Sequence, residues 1–193
     1  MEKLRPDSLM SLEAYAEKRA DLRHQLIAYK KKRIAALGPH VTLHFEDRLT
    51  IQYQVQEILR VEKIFERAGI EEELESYNPL IPDGSNWKAT MMIEFPNPEE
   101  RRERLKNLLG IDRKTWVQIA DDQKVYAISD EDLDREDEDK TASVHFLRFE
   151  LSSSMVKAAK RGAPIRAGIS HDHYQAAVEL EDALRRALLK DLS

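Results

Sequence analysis

The stretch Gly38-Pro39-His40-Val41-Thr42-Leu43-His44-Phe45-Glu46 marks the point where the hydrophobic pattern of this 193-residue chain changes. Apolar and polar residues alternate from Val41 to Glu46, and a period of two is typical of a strand with one buried face. Gly38 and Pro39 favour a chain break before it, because glycine adopts the left-handed conformation at helix ends and proline cannot continue a helix. The stretch therefore predicts the end of a helix, a turn and a short half-buried strand.

Helical periodicity is found on both sides of this strand. Upstream, apolar residues at spacings of three, four and seven predict a long helix, or two end to end, which begins near Ser8 and stops at Gly38. Downstream, the apolar residues from Arg48 onward predict a second helix that ends at Gly69, and a short helix covers 70–77. The first third of the chain is therefore expected to be mainly helical.

The rest of the chain contains more strand patterns than helix patterns. The predicted strands are 90–95, 115–120, 124–129, 143–151 and 164–169. The predicted helices are 98–109, 152–160 and 181–192. This order indicates an α+β fold, in which a helical N-terminal third packs on a mixed, mainly antiparallel sheet of about five to six strands.

The length of 193 residues favours a single domain over 1–193, since domains usually contain about 100–200 residues. Within it we expect a mainly helical part over 1–80 and a strand-rich part over 86–193. Between two predicted strands, the segment 130–139 contains eight acidic residues and one arginine. Such a block repels itself and lacks the glycine turn of an EF-hand, so 129–141 is interpreted as an acidic mobile loop.

The composition excludes several classes of protein. The chain has no cysteine, which excludes disulfides, iron–sulfur clusters and cysteine nucleophiles, so a metal would be held by histidine and carboxylate ligands. No hydrophobic run exceeds four residues, whereas a membrane-spanning helix needs about 20. The N-terminal residues include acidic side chains and no apolar signal-peptide core. We therefore expect a cytoplasmic protein with no membrane association.

The positive charge of this chain is unevenly distributed, which is one signal of nucleic-acid binding. The formal net charge is -5, but residues 1–70 carry a net positive charge. Basic residues of the first predicted helix, from Lys18 to Arg33, would be the contact surface for nucleic acid. Asp21 interrupts them, so a solvated helix face is the favoured interpretation. Nucleic acid is not expected as a partner.

Histidines and carboxylates supply the candidate metal ligands. His171 and His173 are two residues apart on an extended segment, so their side chains point the same way and can share one ion. His145 or a helix carboxylate such as Glu57 would supply a third ligand, and iron, manganese or zinc suits such a set. The alternative is a polar turn in which Asp172 hydrogen-bonds locally.

Two further patterns have local explanations. Glu57 and Arg60 are three residues apart, which suits a helix-surface ion pair, although a buried Glu57 would suit acid–base chemistry. Glu62, on the same predicted helix, is another candidate third metal ligand. His40 and His44 have the i, i+4 spacing of a helical metal pair, but on a strand they lie roughly 13 Å apart and cannot share an ion.

Several stretches of the chain resemble a bacterial protein family. They are 36–46, 54–62, 77–82, Ala89-Thr90, 146–149 and 171–174. In this order, and over nearly its whole length, the chain resembles the domain-of-unknown-function family 3501 (DUF3501). That family has no established activity, so the resemblance implies no catalytic residues. It implies an accessory role beside rubrerythrin-like and iron–sulfur oxidoreductase proteins, in iron or peroxide metabolism.

Two functional hypotheses follow from these observations. The first is a non-catalytic cytoplasmic accessory protein that binds a partner protein, in a redox or iron-handling system. The absence of phosphate-binding glycine loops, the G-x-S-x-G elbow and the H-E-x-x-H motif supports it. The second is a metal-dependent enzyme or metal-binding protein that uses the histidine and carboxylate ligands named above. Both are compatible with a homo-oligomer.

Overall fold

A computed structural model describes residues 2–129 and 140–193 of the chain. The helices in these ranges are α1 (Leu12–Lys30), α2 (Arg48–Glu62), α3 (Arg67–Tyr77), α4 (Pro98–Asn107), α5 (Ser153–Lys160) and α6 (Asp182–Leu189). The strands are β1 (Ile34–Ala36), β2 (Val41–Glu46), β3 (Asn86–Ile93), β4 (Thr115–Ile119), β5 (Val125–Tyr126), β6 (Ile128–Ser129), β7 (Val144–Glu150), β8 (Ile165–His171) and β9 (Tyr174–Glu179). The acidic segment 130–139, interpreted above as part of a mobile loop, lies outside the described residues.

The strands form two antiparallel sheets. The larger sheet has the order β1-β2-β3-β7-β6, and the smaller sheet has the order β5-β4-β8-β9. In the larger sheet β3 is central, with Met91 opposite Leu43 of β2 on one side and His145 of β7 on the other. The predicted α+β class and the mainly antiparallel pairing are confirmed, and the strands are divided between two sheets.

Side chains from both sheets and from α4, α5 and α6 form one large hydrophobic cluster, here called the strand core. The predicted alternation of β2 is confirmed, since Val41, Leu43 and Phe45 are buried in this core. Trp87 of β3 has no exposed surface, and its indole Nε1 donates to the Leu188 carbonyl of α6 at 3.1 Å. The strand core is therefore closed on one side by the C-terminal helix.

A smaller hydrophobic cluster, here called the helical core, contains Leu4, Ile51, Val55, Leu59, Leu74 and Ile81. It joins α2 and α3 to the N-terminal residues. Lys3 strengthens this connection, because its Nζ donates to the carbonyls of Asn78 and Ile81 at 2.7 and 2.9 Å. None of the described helices combines the length and apolar character that crossing a membrane requires.

The prediction that the first helix reaches Gly38 is wrong. α1 ends at Lys30, Lys31–Arg33 form a 3-10 turn, and Ile34–Ala36 form β1, which pairs with β2. Gly38, with φ of +75°, lies in the hairpin turn and not at a helix end. Pairing with β2 outweighs the helix propensity of the two alanines, because it forms a ladder and buries Leu37.

Other element ends also differ from the prediction. α1 is capped by Ser11, whose Oγ accepts from the Ala14 amide, and α2 ends at Glu62 before Lys63 in the left-handed conformation. The predicted strand 124–129 is divided, because β5 pairs with β4 whereas β6 pairs with β7. The edge strand β9 was not predicted, since its partly exposed, alanine-rich sequence carries little hydrophobic signal.

Candidate functional site

A cavity of about 360 Å³ lies between α1 and α2 and is here called the helix cleft. The described residues that line it are uncharged, namely three tyrosines, three glutamines, three leucines and one methionine: Met10, Tyr15, Leu22, Gln25, Leu26, Tyr29, Leu49, Gln52, Tyr53 and Gln56. The apolar face that predicted the first helix therefore borders an open cavity. Helical spacing on both helices brings these positions to one side.

Glutamine amides hold the chain before α1 against α2. Gln56 accepts from the Met10 amide at 2.6 Å and donates to the Met10 carbonyl at 3.3 Å. Gln52 donates to the Ser8 carbonyl at 2.6 Å. These bonds use the polar atoms of buried Gln56, and Gln25 and Tyr53 add further hydrogen-bonding groups to the lining. The helix cleft is therefore mainly apolar, with a few fixed polar groups.

Tyr15 connects the helix cleft to Glu57. Its hydroxyl donates to Glu57 Oε1 at 2.6 Å, and Arg19 binds both carboxylate oxygens at 2.7 and 2.8 Å. The hydrogen bonds from Arg19, assisted by Tyr15, lower the pKa of Glu57 to about 2. Arg60 also contacts Glu57 at 3.4 Å, as the i, i+3 spacing predicted. Because two arginines and a phenol hold it ionised, Glu57 ties α1 to α2.

Tyr29 connects the helix cleft to a buried charge cluster. Its hydroxyl donates to Asp47, and burial raises the pKa of Tyr29 to about 12. Asp47 lies 3.3 Å from Arg33, which also pairs with Asp191. Two carboxylates thus share one guanidinium, and burial raises the pKa of Asp191 to about 7. Arg33 is only 2% exposed, so it does not belong to the solvated basic face expected from the sequence.

The structure places the candidate metal ligands as follows. His171 ends β8, with Nε2 3.0 Å from the Leu109 carbonyl and Nδ1 accepting from the His173 amide at 3.2 Å. A carbonyl oxygen only accepts, so the proton lies on Nε2 and both ring nitrogens of His171 are used. The ring centroids of His171 and His173 are 5.9 Å apart. The turn between β8 and β9 therefore brings these two histidines together.

The predicted third ligands lie on other elements. His145 is on β7, where Nε2 is 3.0 Å from Thr141 Oγ1 and 2.9 Å from the Ala142 carbonyl. Glu57 is on α2 and is engaged by arginines, as described above. In the part of the chain that the structure describes, no three His, Asp or Glu side chains are grouped as a metal site requires. The metal hypothesis stays a prediction.

A second cavity, of about 180 Å³, lies where the β1–β2 hairpin meets the β8–β9 hairpin and is here called the hairpin pocket. Its lining consists of basic, amide and aromatic side chains and one leucine: His40, Phe95, Arg104, Asn107, Leu108, His173 and Tyr174. The two sheets each supply a hairpin and α4 supplies the third wall. Sequence reasoning missed this arrangement because His40 and His173 are distant in the chain.

Tyr174 fastens the two hairpins together. Its hydroxyl donates to the Leu37 carbonyl at 2.6 Å and accepts from the His40 amide at 3.2 Å. A Cβ on Gly38 would lie 2.7 Å from this hydroxyl, and the φ of +75° also favours glycine. The sequence signal for this contact was Gly38-Pro39, which was interpreted as a helix end.

The comparisons with known proteins identify the family. The family described as a protein of unknown function (DUF3501) matches residues 3–192. The chain belongs to the DUF3501 family. The chain is also similar, with 46% identity and a TM-score of 0.94 over 100% of both chains, to a solved structure from Burkholderia pseudomallei, described as a novel protein of unknown function. No curated protein matches the chain.

Two stretches that carry the DUF3501 resemblance meet at the hairpin pocket. Residues 36–46 supply His40 and the glycine turn, and residues 171–174 supply His173 and Tyr174. A third stretch, 54–62, supplies Gln56 to the helix cleft. Three of the six stretches therefore contribute a lining residue to one of the two cavities. The helix cleft suits a neutral apolar group, whereas the hairpin pocket presents basic and amide side chains.

Proposed function

We propose that this DUF3501 protein is a non-catalytic accessory protein that binds a partner protein, and that the helix cleft receives an apolar side chain of that partner. The observation that carries the proposal is the uncharged lining of the cleft. A charged group placed there would lose its hydration without gaining an opposite charge, which is costly. The nearby carboxylates of Glu57 and Asp47 are already paired with arginines.

Exposed apolar side chains on the same helices support a protein partner. Leu49, which lines the cleft, is 48% exposed. Ile27 on α1, Val61 on α2 and Phe65 just after α2 are also exposed. Burying such side chains is favourable, and anchoring side chains of protein partners commonly enter pockets of this kind.

The family resemblance implies that the partner protein acts in iron or peroxide metabolism. Rubrerythrin-like and iron–sulfur oxidoreductase proteins are the partners to test first, in the cytoplasm. The proposal that a partner binds at the helix cleft does not depend on the partner's identity, because it is argued from the residues that line the cleft.

Site-specific photocrosslinking tests the proposal. A photoreactive phenylalanine analogue at position 49 is expected to give a discrete crosslinked product with a protein of the native cell. The matched control is the same analogue at Tyr126, which is 45% exposed but lies in the strand-rich part. Gln25→Trp, which adds bulk at an exposed edge of the cleft, is expected to suppress the product. No product at position 49, or equal products at both positions, would contradict the proposal.

The alternative function is a metal-dependent enzyme or metal-binding protein with His171, His173 and either His145 or Glu57 as ligands. The close approach of His171 and His173 is the observation that favours it, and His171 would bind the ion by giving up its hydrogen bond to the His173 amide or to the Leu109 carbonyl. Elemental analysis of protein purified without chelator, and again after reloading with iron, manganese or zinc, tests it. About one ion per chain that is lost in His173→Ala would support the alternative, whereas no retained ion after reloading would exclude these ligands.

A further inference from the structure

We infer that the hairpin pocket binds a small oxyanion, such as a phosphate or carboxylate group, through Arg104, Asn107, His40 and His173. The inference concerns a different cavity from the helix cleft and is independent of partner binding there. Among the residues that the structure describes, no carboxylate lines this pocket. The described lining therefore supplies positive charge and hydrogen-bond donors.

Arg104 supplies the permanent positive charge. Its guanidinium has several N–H donors in a planar array, a geometry that matches phosphate and carboxylate oxygens. The side chain contacts Glu100 at 3.4 Å one turn away on α4, and both side chains are largely exposed. Exposed pairs of this kind contribute little free energy, so Arg104 can exchange Glu100 for a bound anion at small cost.

His40 is held in one orientation toward the pocket. Nδ1 lies 3.1 Å from the Glu94 carbonyl, and the imidazole stacks on Phe95 with centroids 4.2 Å apart. Since a carbonyl only accepts, Nδ1 carries a proton and Nε2 is left for a ligand. When both ring nitrogens carry a proton, Nε2–H donates to an oxyanion. His173 adds a second imidazole from the opposite hairpin.

The His40 side of the pocket is fixed before a ligand arrives. Tyr174 fixes the backbone of His40 against β9, and Phe95 and Leu108 form a buried apolar floor. Preorganised donors lose little conformational entropy on binding. A metal ion fits this lining less well, because Arg104 would repel it and the described residues offer it two imidazoles and one amide oxygen.

An NMR titration of the full chain tests the inference. Imidazole nitrogen signals of His40 and His173 are recorded as inorganic phosphate, or in a second series succinate, is added at about 0.15 M salt, where long-range charge effects are screened. We expect saturable shifts of both imidazoles with at least one anion. Shifts with phosphate alone support a phosphate site, and shifts with succinate support a carboxylate site. No saturable shift with either anion would overturn the inference.

Matched variants on α4 separate a specific site from general electrostatics. Arg104→Gln is expected to weaken binding about tenfold, since a charge-assisted hydrogen bond is lost. Arg102→Gln removes the same charge from an exposed residue that does not line the pocket, so its binding should stay within about twofold of the unmodified protein. His173→Asn, at an exposed turn position, is a second test, because loss of this imidazole is also expected to weaken anion binding. Equal weakening by Arg102→Gln and Arg104→Gln would overturn the inference.

Discussion

The strand core and the helical core differ in the number and size of the side chains that they bury. The strand core combines two sheets and three helices and encloses large side chains such as Trp87 and Phe149 with no exposed surface. The helical core contains six buried residues, and the α2 helix that contributes to it also borders a cavity of about 360 Å³. Exposed Leu49, Val61 and Phe65 lie on or just after this helix.

This difference indicates where binding is compatible with the fold. Dense packing leaves no room for a ligand inside the strand core, because a well-packed interior has few voids larger than a water molecule, so the hairpin pocket lies at the edge of this core. The helical part buries fewer apolar side chains, so it is expected to open locally at lower free energy than the strand core. Binding surfaces commonly lie in regions of low local stability. Four substitutions test this contrast, from the largest expected effect to the smallest.

Truncating the centre of the strand core has the largest expected effect. Trp87→Ala removes a fully buried side chain and its hydrogen bond to Leu188, so we expect a loss of about 4 kcal/mol in the free energy of unfolding. Urea denaturation followed by circular dichroism measures it. The control is Tyr126→Ala, at a partly exposed position, with an expected change below about 1 kcal/mol. Similar losses in the two variants would contradict the role assigned to the strand core.

Truncating the helical core tests whether the two cores unfold separately. Leu59→Ala is expected to cost about 3 kcal/mol, and Val61→Ala, two residues away but 58% exposed, below about 1 kcal/mol. Hydrogen exchange should show faster exchange for amides of α2 and α3, with β3 and β7 still protected. If the strands lose protection equally, the two cores form one cooperative unit and the contrast fails.

The contact between the two hairpins is tested at Gly38. Gly38→Ala is expected to cost about 2 kcal/mol, because the left-handed backbone strains an L-residue and the new Cβ would collide with Tyr174. Gly110→Ala is a matched control, since Gly110 has the same φ of +75° but nothing within 4 Å of the added Cβ. The difference between the two variants in thermal unfolding separates the collision with Tyr174 from the backbone strain that both variants share. Equal losses would show that backbone strain alone explains the effect.

The smallest expected effect is a pH-dependent contribution from Glu57. Its pKa is lowered to about 2 in the folded protein, so its stabilisation is present above the unfolded pKa of about 4.3 and is lost as the pH falls toward 2. Because Glu57 is partly exposed, we expect Glu57→Gln to cost only about 1 kcal/mol at pH 6. Urea midpoints of both proteins should converge near pH 2. A constant difference between them would assign the effect to packing.

Much of the fold could be predicted from local sequence patterns. The alternation of Val41, Leu43 and Phe45 predicted β2, and helical spacing from Arg48 predicted α2. Two of the segments that were misassigned or missed have weak local signals. Ile34–Ala36 is compatible with either a helix or a strand, and only pairing with β2 decides between them. β9 is likewise defined by its pairing with β8.

The candidate sites were predicted less completely than the fold. The Glu57–Arg60 contact was found because its members are three residues apart, but the stronger partner, Arg19, is 38 residues away. Arg33 was expected in solvent, yet it pairs with Asp191, which is 158 residues away. His173 was selected as a candidate ligand, but its position opposite His40 and Arg104 could not be seen in the sequence.

By itself the sequence determined the helix and strand periods, the α+β class, the absence of cysteine chemistry and the family. These properties follow from composition and from residues a few positions apart, where backbone geometry sets which side chains share a face. Only the tertiary structure decided that the strands form two sheets, that the apolar face of α1 borders a cavity, and that His40 and His173 share a pocket. These features depend on packing and hydrogen bonds between segments that are distant in the chain. Local sequence patterns do not show which distant segments come together.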